Sequence, residues 1–405
     1  MKLADYVELN PASSIKKGDI VPFVPMEAVV PGHRWVNATE YRRASGSGSR
    51  FRPGDTLFAR ITPCLENGKI AQFAGKQPGM GSTEFFVLRA RKAKADPAYV
   101  YYFALDRRLR AVAEKSMSGA SGRQRASLAA LADFPCTFPP LNRQQHIAAA
   151  LSSFDELLAN DLRRIALAEE IARWIFRRWF LEFRFPGNEN TTFVSSPIGN
   201  VPAGWVVQPM SECVEINPRI LIARDEPKPF VPMASLSEHS MLIANYEMRS
   251  GSNGSKFQNG DTLFARITPC LENGKTGFVQ FLPDGDAVAA GSTEFIVLRS
   301  RTLTPEFVYC LARSDAVRNS AIKSMTGTSG RQRVQEKCFD RIQVAHPPRT
   351  VLEKFSLVVA PMFRLIQCLH ERVDIIRQAR DVIRPKLVGI DQFDSQEERG
   401  LRAWS

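Results

Sequence analysis

None of the seven cysteines forms a CxxC pair, and the five histidines are scattered. The clustered Cys and His that a zinc site needs are therefore missing. An odd number of cysteines cannot all pair within one chain, which fits a reducing compartment. There is no GxxxxGK[ST] loop to cradle phosphates, so nothing supports ATP hydrolysis on this chain. The N-terminus, MKLADYVELNPASS, has no apolar run of signal-peptide length. The most apolar later stretch, from Ile171 to Phe185, is broken by Arg173, Arg177, Arg178 and Glu182, so no membrane-spanning helix is expected. These absences point to a soluble cytoplasmic protein without a metal of its own.

Catalytic constellations are missing too. The two Pro-Pro pairs sit in FPPL and HPPR. They lack the preceding acid or amide and the following aromatic with which an adenine methyltransferase grips a flipped base. No Ser/His/Asp or Cys/His set occurs in both halves of the chain. Cys64 and Cys270 are equivalent but bring no histidine with them, and are expected to be small buried thiols. Asp284 and Asp286 lie in an insertion found in only one half, so they suit a loop better than a metal nuclease. The chain is expected not to be an enzyme.

What the chain does have is positive charge. Its 405 residues carry 54 Lys and Arg against 42 Asp and Glu, a net charge of +12. A soluble basic protein of this size commonly has a polyanionic partner, although basicity alone does not choose one. With 44% hydrophobic and 24% charged residues the composition is that of folded domains rather than a disordered chain, and the length allows two or three of them.

An internal repeat sets the organisation. GDTLFARITPCLENGK runs from Gly54 to Lys69 and returns, identical at all 16 positions, from Gly260 to Lys275. GSTEF at Gly81–Phe85 returns at Gly291–Phe295, and KSMSGASGRQR at Lys115–Arg125 returns as KSMTGTSGRQR at Lys323–Arg333. VELNP (Val7–Pro11) matches VEINP (Val214–Pro218), and FVPM (Phe23–Met26) matches FVPM (Phe230–Met233). Two copies at this spacing are a tandem duplication of a domain and its connector, not a solenoid. Such a chain can mimic a two-fold dimer, which suits a ligand of approximate two-fold symmetry such as duplex DNA.

Each half begins with short β-branched and aromatic runs bounded by Gly, Pro and Asn, including DTLFARI, EFFVLRA and EFIVLRS, which read as strands. Short helices are expected around Pro97–Lys115 and Pro305–Lys323. Each half then ends in a long helix with a coiled-coil-type stripe. The first spans about Asn142 to Phe183, on Ile147, Leu151, Phe154, Leu158, Ile165, Ala168, Ala172, Ile175 and Trp179, interrupted at Asp161. The second spans about Thr350 to Leu387, on Phe355, Val358, Met362, Leu365, Leu369, Ile376, Ala379 and Ile383, interrupted at Arg372. The expected fold is α+β: two tandem mixed α/β domains, each followed by a long helix, the helices pairing as an antiparallel coiled coil with pseudo-two-fold symmetry. The expected boundaries are 1–140 for the first domain, 141–185 for the first helical region, 186–200 for a linker, 201–348 for the second domain, 349–390 for the second helical region and 391–405 for a tail.

The repeated blocks are rich in residues that bind phosphates and base edges. Ser121, Arg123, Gln124 and Arg125 recur as Ser329, Arg331, Gln332 and Arg333. Arg can donate two parallel hydrogen bonds to phosphate or guanine, and Gln can do the same to adenine. Lys115 and Lys323 stand just upstream. Arg60, Lys69, Arg266 and Lys275 flank the ITPCLENG turns, and Ser82, Thr83, Ser292 and Thr293 form small-donor loops. These eighteen are the candidate nucleic-acid residues; contacts to bases and to phosphates are not separable at this level. The differing stretches Val29–Pro53 and Ala234–Asn259, and Ile70–Met80 and Thr276–Ala290, are candidates for telling two half-sites apart, with drift in surface loops the alternative. Trp174, Phe176, Trp179, Phe180 and Leu387 are candidates for docking a partner, and core packing is the alternative for the aromatics.

Taken together, the duplicated blocks, the NP near the start of each half, NRQQHIA (Asn142–Ala148), WIFRRWFLEF (Trp174–Phe183), VPAGW (Val201–Trp205) and RDVIRPKL (Arg380–Leu387) resemble the specificity subunit of type I restriction-modification systems, the HsdS family. The resemblance covers essentially the whole chain, except that the first half lacks a VPAGW lead-in. That points to a shortened or misassigned start and puts the first helix of the first domain in question. The resemblance implies a non-catalytic subunit whose two domains each read one half of a bipartite DNA target, with the long helices docking two methyltransferase (M) subunits and restriction (R) subunits joining them. S-adenosylmethionine, ATP and magnesium would then belong to those partners. Two other readings stay open: the recognition subunit of a related restriction enzyme with a fused methyltransferase-nuclease partner, and a non-DNA scaffold protein.

Overall fold

The computed structural model describes residues 1–120, 122–221, 225–328 and 330–388. Ser121, Ser329 and the expected tail 391–405 lie outside the described residues. The chain divides into two compact units. The first holds Met1–Asn160 together with the chain from Asp374 onward, and the second holds Asp161–Val373. The division runs through both long helices, so each unit contains part of each helix rather than one domain with its own.

In the first unit one sheet has the spatial order Val7–Leu9, Phe85–Ala90, Thr56–Ala59, Ile70–Phe73, Trp35–Val36. Its pairs are antiparallel except the last, which is parallel. Thr56–Ala59 is buried at all four positions, as befits a central strand covered on both faces. A second sheet has the order Glu40–Arg43, Ile20–Val24, Gly79–Gly81, Ser49–Phe51. The second unit repeats both sheets. One is Val214–Ile216, Phe295–Ser300, Thr262–Ala265, Thr276–Phe278, and the other is Glu247–Arg249, Lys228–Val231, Ala289–Gly291, Ser255–Phe257. The strands expected in DTLFARI, EFFVLRA and EFIVLRS are all present.

The repeated glycines of GSTEF have a packing reason. A Cβ on Gly81 would lie 2.6 Å from the Val24 carbonyl oxygen, and one on Gly291 would lie 2.9 Å from that of Val231. Only glycine lets the two strands approach this closely.

The short helices form as Pro97–Ala104 and Arg107–Lys115, and again as Pro305–Ala312 and Asp315–Lys323. Asp96 and Thr304 accept hydrogen bonds from first-turn amides, and a proline follows each of them at the first helical position. The start of the first unit carries a 3-10 turn, Leu3–Asp5, where the second has a short α-helix, Met210–Cys213. The second unit also pairs Val206–Pro209 with Gln343–His346. A hairpin, Phe193–Ser196 against Gly199–Pro202, starts in the stretch expected as a linker and runs into the start of the expected second domain.

The first long helix runs Leu141–Phe176 and continues as a π-helical turn, Arg177–Leu181. Its expected stripe faces inward, with Phe154 and Trp179 half-buried. The second long helix runs Arg349–Val388. Here the stripe needs correction. Val358 and Leu365 are exposed, and the buried positions over that stretch are Phe355, Val359, Phe363, Ile366, Leu369 and Val373. The reason is the body of the unit: Phe363 meets Phe278 and Tyr309 at ring distances of 5.0 and 5.5 Å, so the helix turns that face toward the sheet layer. A pattern scored for helix-on-helix packing alone lands one residue away.

Candidate nucleic-acid interface

Each unit carries a groove built from the same places in the repeat. In the first it is about 290 Å³, lined by Asn10, Pro11, Gly48, Ser49, Arg50, Arg60, Thr83, Phe85 and Val87. In the second it is about 370 Å³ and includes Asn217, Pro218, Gly254, Ser255, Lys256, Arg266, Thr293, Phe295 and Val297. Of the candidate residues, Arg60, Thr83, Arg266 and Thr293 are brought to these grooves.

The asparagine of each NP motif builds one wall. Asn10 and Asn217 adopt left-handed backbone conformations, with φ of 48° and 50°, a region Asn tolerates better than most residues. Each clamps the neighbouring strand, Phe85–Ala90 or Phe295–Ser300, twice. Asn10 N donates to the Val87 carbonyl at 2.8 Å, and Val87 N donates to Asn10 Oδ1 at 2.9 Å. Asn217 and Val297 repeat both bonds at 2.8 and 2.9 Å. The repetition of VELNP/VEINP signalled these residues, but their structural role was not legible in the sequence.

The SGRQR loops close onto the grooves through an acidic residue that the sequence candidates do not include. Arg125 donates to Glu84, its shortest contact 2.7 Å, and Arg60 Nε lies 3.3 Å from the same carboxylate. Arg333 grips Glu294 in the same way, at 2.6 Å. The Arg125 guanidinium, reinforced by Arg60 and opposed by partial burial, holds the Glu84 carboxyl below the usual range. Arg266 departs from the pattern: it pairs with Glu336 at 3.3 Å and donates to the Val334 carbonyl at 3.1 Å. Backbone bonds complete the clasp. Ser118 and Arg125 exchange N–H···O bonds of 3.1 and 2.9 Å, as do Thr326 and Arg333, while Thr62 N donates to the Gln124 carbonyl and Thr268 N to that of Gln332.

This geometry sorts the candidates. Arg125 and Arg333 hold carboxylates and brace the loop. Lys69 and Lys275 likewise donate to the Met26 and Met233 carbonyls at 3.0 and 3.4 Å. Ser82 and Ser292 accept from the Glu84 and Glu294 amides, 3.2 Å each, and shape the turn. Thr83 and Thr293 are exposed, as are Lys115 and Lys323 at their helix C-termini. Arg123 and Arg331 are exposed and make no ion pair among the described residues, with Gln124 and Gln332 half-buried beside them. Cys64 and Cys270 are half-buried rather than buried.

The docking candidates divide as well. Phe176 and Phe180 are 4% exposed. Phe180 sits 4.6 Å from Phe307 and 4.9 Å from Phe355, and Phe176 is 5.1 Å from Phe307. Both rings belong to the core of the second unit, the arrangement that the core-packing alternative describes. Trp179 packs partly against Phe355, and Leu387 is half-buried in the first unit. Trp174 is 59% exposed.

No group of three or more His, Cys, Asp or Glu among the described residues could hold a metal ion. Burial pushes the Cys136 and Cys310 thiols up to about 12, far from nucleophilic range. No described helix is long and apolar enough to cross a membrane.

A two-sheet body is thus written twice, with a cation-bearing groove in each copy. Residues 57–172 match the model of the type I restriction modification DNA specificity domain. The MjaIX type I restriction enzyme specificity subunit of Methanocaldococcus jannaschii is 23% identical over 292 residues, covering 68% of this chain and 64% of that protein. The EcoEI specificity subunit of Escherichia coli is 32% identical over 157 residues, 37% of this chain and 26% of that protein. The matches thus span less than two thirds of these relatives. A type I restriction-modification S subunit from M. genitalium has a similar fold, with a TM-score of 0.56 at 12% identity, over 96% of this chain and 95% of that one. In its matched domain and its relatives the chain is similar to type I restriction-modification specificity subunits.

Proposed function

We propose that this chain is the DNA-reading subunit of a cytoplasmic type I restriction-modification complex and performs no catalysis itself. The carrying observation is the pair of matching grooves: eight of the nine residues lining the first recur unchanged in the second. In a chain of net charge +12, two equivalent grooves suit two half-sites of one bipartite duplex target. Thr83 and Thr293 are exposed donors that line the grooves, Arg123 and Arg331 are exposed donors of the SGRQR loops, and Lys115 and Lys323 add to the field.

The long helices serve assembly. We read them as an antiparallel coiled coil, supported by contacts between first and second helix inside each unit: Asp155 with Arg380 in one, Asp161 with Arg372 in the other. Large apolar side chains remain exposed on them, Trp174 and Leu357 in the second unit and Ile375 and Val382 in the first. Exposed apolar surface of this kind suits docking of two M subunits, with R subunits joining the assembly. S-adenosylmethionine, ATP and magnesium belong to those partners.

The test is co-purification with the M subunit, followed by genome-wide mapping of methylated adenines. The expected target has two specified parts and an unspecified gap. A continuous motif, or none, overturns the reading.

A further inference from the structure

The two grooves differ in one stretch. Beyond counterparts of all nine residues of the first groove, the second is lined by three more: Arg219, Ile220 and Leu221. They follow directly on Asn217-Pro218, where the first unit has Ala12-Ser13-Ser14 after Asn10-Pro11. The one exchanged shared position is Arg50 against Lys256.

The chemistry of these differences points one way. Arg50 is engaged by its own loops, donating to the Ile15 and Ser45 carbonyls at 3.1 Å each. Lys256 and Arg219 make no ion pair among the described residues, and Arg219 is exposed. Leu221 is 97% exposed, the most exposed of the large apolar side chains among the described residues. An unengaged guanidinium beside a bare leucine at the lip of a groove is poor design for a free surface. It matches a base edge, where Arg donates twice to guanine and an apolar side chain meets a thymine methyl or wedges at a base step.

We propose that Arg219, Ile220 and Leu221 form the element that distinguishes the half-site read by the second unit from that read by the first. The eight shared lining residues supply the grip common to both, and this tripeptide supplies base contacts that Ala12-Ser13-Ser14 cannot make. The proposal rests on the DNA-reading role above.

The experiment gives the second unit the tripeptide of the first, R219A/I220S/L221S, in the full chain co-purified with its M subunit. Methylated sites are mapped across the genome, and binding is measured on oligonucleotides altered in one half-site at a time. Discrimination at one half-site should fall by about ten- to hundredfold, the size of one good base contact, while the other half-site stays as stringent as before. The single variants R219A and L221S change only exposed side chains and should each show part of the same loss, which separates it from misfolding. Unchanged discrimination at both half-sites overturns the proposal. So does a uniform drop in affinity with sequence preference intact, because the loop would then hold only phosphates. If the unaltered complex shows no sequence preference at all, the DNA-reading role itself fails.

Discussion

Asp161 on the first long helix and Arg372 on the second are ion-paired, with Arg372 Nε donating to Asp161 Oδ2 at 2.6 Å and Nη2 donating to Oδ1. Each is the polar interruption of its helix's apolar stripe. Asp161 is fully buried, whereas the Arg372 side chain is 47% exposed. The asymmetry predicts unequal losses. Arg372→Ala leaves a buried carboxylate with only the more distant Arg164, 3.9 Å away, and should destabilise by about 1–3 kcal/mol. Asp161→Leu frees an arginine that can turn to water, and should cost less. Urea unfolding of the two variants decides, and a larger loss for Asp161→Leu refutes the account.

A second ion pair has a built-in control. In the first unit Arg380 Nη1 donates to Asp155 Oδ1 at 2.6 Å, with both side chains at most 5% exposed. Tyr102 Oη donates to Asp155 Oδ2 at 2.6 Å, and Arg34 Nη1 donates to Tyr102 Oη at 3.0 Å. The repeat places Phe363 and Ala172 at the matching helix positions of the second unit, both buried. Breaking the pair with Arg380→Ala should cost about 3–5 kcal/mol, whereas an apolar replacement of both partners can be neutral or better. The double variant D155F/R380A should therefore recover part of that loss. Thermal unfolding of single and double variants measures it, and a double variant worse than the single removes the equivalence.

Much of this was readable in the sequence because duplication makes a pattern its own control. The strands around Thr56–Ala59 and Phe85–Ala90, the capped short helices and both long helices follow from local signals. What escaped depends on contacts distant in sequence. Glu84 stands in the repeated GSTEF block, and nothing local shows that Arg125, 41 residues on, holds it. Asn10 stands in a repeated NP motif, yet its role lies in its bonds to Val87. The stripe on the second helix was misread between Val358 and Arg372 because Phe278 and Tyr309, distant in sequence, determine which face is covered. Phe176 and Phe180 show the same limit, since an aromatic cluster reads alike whether it meets a partner or its own core.

The Glu84 clasp should be acid-sensitive. Arg125 and Arg60 hold the folded-state carboxyl below its ordinary range, so the clasp contributes stability that is fully present above the unfolded value. That contribution is lost as the pH falls through the depressed folded value. The protection of the Arg125 and Ser118 amides, measured as exchange relative to the intrinsic rate at each pH, should therefore fall on acidification in the wild type. Glu84→Gln should exchange faster at neutral pH and lose the acid step. Identical pH profiles for the two proteins would show that the clasp does not hold the loop.

Burial separates the two roles expected for the helix-end aromatics. Phe180→Ala removes a 4%-exposed ring and should destabilise the chain by about 3–5 kcal/mol. Trp174→Ala changes a ring that is 59% exposed, so stability should move by less than about 0.5 kcal/mol while retention of the M subunit in pull-down falls. Normal M-subunit retention by Trp174→Ala would take that residue out of the docking surface.

Arg123 and Arg331 occupy matching places in the two SGRQR loops, and neither has an ion-pair partner among the described residues. Their neighbours Arg125 and Arg333 are held by Glu84 and Glu294, which fixes the loop backbone and leaves the earlier arginine to project. If each neutralises one phosphate, the double variant R123A/R331A should bind DNA more weakly at every sequence. Its dependence of log affinity on log salt should flatten by about 1.8, since each phosphate left without its arginine accounts for about 0.9. Sequence preference should survive, because phosphate contacts carry none. A titration of the assembled complex between low and physiological salt measures the slope. An unchanged slope means that neither arginine touches the DNA backbone, and a weakened preference at one half-site reassigns them to base reading.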